Sequence, residues 1–136
     1  MKITHGMLKE QGACASQIRL FNKTFPNGSP ANKEEALTLA LKHADEFDWD
    51  WAADNLLTVP ALKAYDEAIL PIEKAYNEAI APALKAYEEA IAPVWRAPVW
   101  EAFKAYEKAI APALKAYNEA IATAFVEVFY SLEGVK

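Results

Sequence analysis

The sequence predicts an all-α protein: a small N-terminal helical head over residues 1–58, then long proline-bent amphipathic helices over 59–136 that form a helical hairpin or bundle. Three observations carry this expectation. An eleven-residue unit recurs through the second half, each copy places its large apolar residues on one helical face, and the first half holds short apolar-periodic segments bounded by cap and turn residues.

In the head, Cys14, Ile18, Phe21 and Phe25 recur at helical spacing and Pro26-Asn27-Gly28 supplies a stop. Asn32 with Glu35 resembles a capping box ahead of Leu37, Ala40, Leu41 and Ala44. Asp48 is the expected N-cap of a third segment that aligns Trp49, Ala52, Ala53 and Leu56. Three short amphipathic helices of this kind can share one small core.

The repeats read PALKAYDEAIL (60–70), PIEKAYNEAIA (71–81), PALKAYEEAIA (82–92), EAFKAYEKAIA (101–111) and PALKAYNEAIA (112–122), with a degenerate sixth copy from Thr123. At about 100° per residue, the Leu, Tyr and Ile of each unit fall within roughly 60° of one another, with Lys, one Glu and Pro opposite. Eleven residues in three turns is about 3.67 per turn, so partner helices follow a straight or weakly right-handed path. Glu73 interrupts the stripe where the repeat expects Leu. An interior proline removes a backbone hydrogen bond and costs about 3 kcal/mol. Two arrangements meet that cost: each proline opens a new helical segment, where its missing N–H is harmless, or long helices bend at it while the stripe packs. Bent helices are the expectation, because no Gly, Asn or Ser separates the units to make a loop. In APVWRAPVWEAF the period fails and Tyr87 to Tyr106 spans 19 residues rather than 22, which predicts a corner at 93–100. The rival is one continuous stripe through Ile91, Trp95, Val99, Phe103 and Tyr106.

The composition excludes several function classes. Apolar runs are far shorter than the roughly 18 residues of a membrane span, so no transmembrane segment is expected. The N-terminal stretch lacks the apolar core of a secretory signal and the single Cys14 has no internal disulfide partner, which points to a reducing cytoplasm. The net charge of −5 has no basic patch, against direct nucleic-acid binding. His5 and His43 stand in no metal-ligand spacing, and His43 with Asp45 and Glu46 reads as a solvated helix end. Cys14 reads as a buried structural thiol without a neighbouring base. The glycines are scattered, against a phosphate-cradling loop, and paired carboxylates such as Glu88-Glu89 sit beside lysines on the solvated side. No catalytic residue, cofactor or metal is expected. The residues open to an interaction role are Tyr65, Tyr76, Tyr87, Trp95, Trp100, Tyr106, Tyr117 and Phe125, which either pack between helices or face a partner.

The stretch LKEQGACASQIRLFNKTFPNG with FDWDWAADNLL, followed by Ala/Tyr/Glu repeats broken by AP, resembles small uncharacterised proteins of tailed bacteriophages and prophages. The resemblance rests on Gly12-Ala13-Cys14, Gln17, Phe21, Phe25 and Asp48-Trp49-x-Trp51-Ala52-Ala53, with residues 8–57 as head and 60–122 as a tail of variable repeat number. It implies no catalytic residues, only a context: a short accessory protein in the cytoplasm of an infected bacterium. The leading expectation is a non-enzymatic protein that binds a host protein, with inhibition of a defence system such as CRISPR as one form. The alternatives are an amphipathic lipid-surface protein, after the likeness of such repeats to exchangeable apolipoproteins, and a purely structural oligomerisation module. A stripe this long on a hairpin leaves one side uncovered, so a homo-oligomer is expected.

Overall fold

The computed structural model describes residues 2–92 and 99–131, and the described chain is helical, with no β-strand. Its elements are α1 (His5–Glu10), α2 (Ala15–Thr24), α3 (Lys33–Lys42), α4 (Trp49–Leu56), α5 (Val59–Ile91) and α6 (Val99–Ser131).

Three of the four head helices start where a side chain satisfies free N–H groups. Thr4 Oγ1 accepts from Met7 N in α1 at 3.3 Å. Asn32 Oδ1 accepts from Glu34 N and Glu35 N in α3 at 2.7 and 3.3 Å. Asp48 Oδ1 accepts from Trp51 N in α4 at 3.0 Å. The head therefore holds four helices, α1 being additional to the three that the apolar spacing indicated. Cys14 departs from expectation. It is the exposed residue just before α2, with its Sγ 3.2 Å from Ser16 Oγ, because the helix begins at Ala15 and leaves the thiol outside the apolar stripe. Between α2 and α3 the chain is stapled to its own start: Ile3 N donates to Ser29 Oγ at 2.7 Å and Ser29 N donates to Ile3 O at 2.9 Å. Gly28 sits at φ +82° beside that staple, where a Cβ would come within 2.9 Å of Ile3 O. Glycine is needed there on both counts.

The long helices α5 and α6 contain 33 residues each, about 50 Å. α5 runs unbroken through Pro71 and Pro82, and α6 through Pro112. All three rings are exposed, on the side away from the packed stripe. Pro60 stands in the first turn of α5, where its absent N–H removes no helical bond. α5 and α6 pack against each other more extensively than any other pair of elements, so the chain folds back into a hairpin. The expected corner residues 93–98, with Trp95, lie outside the described residues, and Val99 and Trp100 open α6.

The head has no core of its own. One hydrophobic cluster runs from Ile3 and Leu8 through Trp49, Leu56 and Leu57 to Tyr65 at the start of α5 and Ile121, Phe125 and Phe129 at the end of α6. α3 is the head element most extensively packed on α6. Tyr130 Oη donates to Pro30 O across that junction, and Lys33 Nζ pairs with Glu127 Oε2 at 2.5 Å. The closing turns of the repeat region thus complete the fold of the first half.

Candidate contact surface and head cavity

The expected aromatic stripe divides into three zones along the hairpin. At the head end it is core. Tyr65 is 1% exposed and Phe125 5%, their ring centroids lie 6.4 Å apart, and the Trp49 ring packs on Phe125 at 5.6 Å. Tyr65 Oη donates to Asp50 Oδ1 at 2.9 Å. Burial first, then the bond to Asp50 and its negative charge, push the Tyr65 hydroxyl well above the ordinary tyrosine range. Burial likewise raises Tyr117, with Asp50 and Glu73 adding to it.

In the middle zone the tyrosines pair across the hairpin and are half-buried. Tyr76 meets Tyr117 at 4.9 Å and 44°, and Tyr87 meets Tyr106 at 5.5 Å and 42°. These two pairs have nearly the same geometry, and the sequence explains it. One common shift superposes the unit 71–81 on 101–111 and 82–92 on 112–122, carrying Tyr76 onto Tyr106 and Tyr87 onto Tyr117; antiparallel helices of one repeat are related by a local twofold axis. Leu84 and Leu114 are equivalent under that shift, and their exposures match at 40% and 41%.

Towards the distal end, at the start of α6, three described apolar residues are open to solvent. Trp100 is 66% exposed, Val99 50% and Phe103 38%. Trp100 and Phe103 stack at 6.3 Å and Lys104 Nζ lies 5.0 Å over the Trp100 ring. Between Tyr65 on α5 and Ile121 on α6 no described residue is buried. Leu84 and Leu114, which periodicity alone assigned to packing, thus remain partly open, and Leu70, which stands outside the Leu/Tyr/Ile stripe where other units carry Ala, adds apolar surface beside them at 63% exposure. The reason is geometric: two helices can cover only one face of each other.

The head holds a second feature, an apolar cavity of about 80 Å³ that every head helix and the end of α6 line. Nothing in the spacing of the head residues signals it. Elsewhere, the described residues include no cluster of His, Cys, Asp and Glu able to hold a metal ion. His43 Nδ1 is paired with Glu46 Oε2 at the end of α3. The exposed Cys14 thiol is lowered below its ordinary value, chiefly by its bond with Ser16. No described helix is long and apolar enough to cross a membrane.

No protein-family model matches the chain, and neither a curated protein nor a solved structure does.

Proposed function

We propose that this is a non-enzymatic protein that works by protein–protein contact, with the distal arm of the hairpin as its contact surface and a second copy of the chain as the occupant of that surface. The observation that carries the reading is the exposure of Leu70, Leu84, Leu114, Phe103 and Trp100 along an arm with no buried residue among those described. Two further points support it. The arm from residue 70 to 91 is about 32 Å long and two helices, about 20 Å, wide, a face of the same order as the roughly 800 Å² per partner of a stable interface. Its local twofold repetition lets one patch meet its own copy, with Leu84 of one chain beside Leu114 of the next. Two hairpins joined in this way bury the leucines in a four-helix arrangement.

The resemblance to tailed-phage proteins supports the wider part of the reading: an accessory protein in the cytoplasm of a bacterial host that engages a host protein, a defence component such as a CRISPR effector being one class. Light scattering on the full chain tests the contact surface. The expected mass is twice the 15.1 kDa of one chain, falling to one chain in Leu84→Glu/Leu114→Glu with helicity retained. A wild-type monomer at high micromolar concentration overturns the self-contact. Host engagement is tested by purifying wild type and the double variant from phage-infected cells; a host protein held by both alike excludes the arm as its binding surface.

A further inference from the structure

The cavity in the head is independent of the distal arm, and its walls specify a ligand. Seven aromatic rings build an arc along it. Phe21 and Phe25 lie 5.2 Å apart, Phe25 and Phe47 6.2 Å, and Phe47 and Trp49 5.4 Å. The arc continues from Trp49 to Phe125 at 5.6 Å, to Phe129 at 6.1 Å and to Tyr130 at 4.9 Å. The other lining residues include Ala13, Ala36, Ala40 and Ala52, small side chains where longer ones would fill the space. The void therefore lies where five helices meet over small side chains.

Three of the polar residues around it, Gln17, Ser29 and Asp48, are hydrogen-bonded within the protein. Gln17 Nε2 donates to Glu46 O at 2.9 Å while Gln17 Oε1 accepts from Asp48 N at 3.1 Å. Asp48 Oδ1 caps α4 and Ser29 Oγ holds Ile3 N. A water inside needs two to four polar partners, and these groups have their bonds within the protein. Among the lining residues there is no lysine or arginine, and the one charged side chain is Asp48. An anion such as a fatty-acid carboxylate meets repulsion at that edge. Asp48 is exposed and Gln17 and Trp51 are half-buried, so the cavity reaches solvent between α2 and α4. At about 80 Å³ it exceeds the roughly 30 Å³ share of one water and is about half the roughly 150 Å³ of a dry cavity known to take benzene, so a single ring is only partly enclosed. A ligand of this size fits with its edge at the mouth.

We propose that the head cavity is a binding site for a small, uncharged, apolar molecule of single-ring size, held by the ring arc between Phe21 and Phe129 and admitted past Gln17 and Asp48.

The test uses the full chain with benzene and, separately, xenon as probes, read by methyl chemical shifts. Saturable shifts are expected at Ala36, Ala40, Ala52 and Leu8, with none at Leu84 and Leu114 of the distal arm. Ala36→Met and Ala52→Met place a flexible side chain in the void; each is expected to weaken benzene binding by about tenfold or more, with melting temperature unchanged or raised. Unsaturable shifts, shifts spread equally over the distal leucines, or unaltered affinity in both filled variants overturn the site. Should either variant lose its helical signal, the wild-type titration with xenon decides by itself: saturable shifts at the same four residues support the site, and their absence rejects it.

Discussion

Tyr65 and Tyr87 occupy the same position of the same repeat, two units apart, yet Tyr65 is sealed in the core and Tyr87 is only half-covered. The eleven-residue unit carries the same pattern at both places. What differs is the neighbourhood: Tyr65 meets Phe125 and the α4 residue Asp50, whereas Tyr87 meets Phe103 and Tyr106 on the facing helix. Amphipathic periodicity thus sets which face is apolar, and the head decides where along the hairpin that face becomes interior. The contrast gives the molecule a stability gradient from a shared core to a two-helix tip.

The largest expected effect comes from cutting one ring at each end. Phe125→Ala, in the core, costs about 3–5 kcal/mol in urea denaturation, while Phe103→Ala, at 38% exposure, costs under about 1 kcal/mol. Equal losses would mean that the arm is as tightly buried as the head.

A smaller effect sharpens the gradient from the other side. Pro82 lies inside α5 and is exposed, so Pro82→Ala restores a helical hydrogen bond and is expected to stabilise the arm by up to about 3 kcal/mol. Native-state hydrogen exchange should show slower amides around residues 78–90 and unchanged protection in α3 and α4. Protection gained everywhere would show that the hairpin opens only with the whole protein.

Alkaline pH probes the core end. The unfolded chain releases the Tyr65 proton near pH 10, while the folded chain holds it to higher pH because of burial and Asp50. The raised pKa contributes stability that is complete below about pH 10 and is lost as pH climbs through the window above it. Tyr65→Phe is expected to cost about 1 kcal/mol at pH 7 through its lost hydrogen bond and to make the decline above pH 10 shallower. Some decline remains, since burial raises Tyr117 and Tyr130 as well. An unchanged slope in urea titrations from about pH 8 to 11 would remove Tyr65 from the account.

The smallest effect concerns the head alone: Asp48→Ala removes the α4 cap and is expected to cost about 1 kcal/mol, with the arm's exchange rates untouched.

The all-α class, the hairpin of long helices and the caps at Asn32 and Asp48 were legible in the sequence, because repeat period and capping chemistry are local properties. Cys14 misled for a local reason also. Its spacing from Ile18 fits the stripe, but a residue one position before a helix shares that spacing without facing the core. α1 gave a weak signal, since six residues with Gly6 inside carry almost no periodicity. The destination of Phe125 and Phe129 was not legible at all. Their pattern announces a buried face, and only the tertiary path through Tyr130 to Pro30 and Glu127 to Lys33 determines that the head receives it. The cavity escaped for the same reason, being a property of how five helices meet.

The rungs Tyr76–Tyr117 and Tyr87–Tyr106 make the hairpin's length countable. Eleven residues added to each helix supply one more rung and move the tip outward by about 16 Å, leaving the seam with the head as it was. Eleven residues added to one helix alone slide every rung out of alignment or force surplus chain into the tip. A gene that grows or shrinks by copying errors in such a tract is therefore steered towards paired gains and losses, and the arm becomes a ruler whose graduations are written in twos.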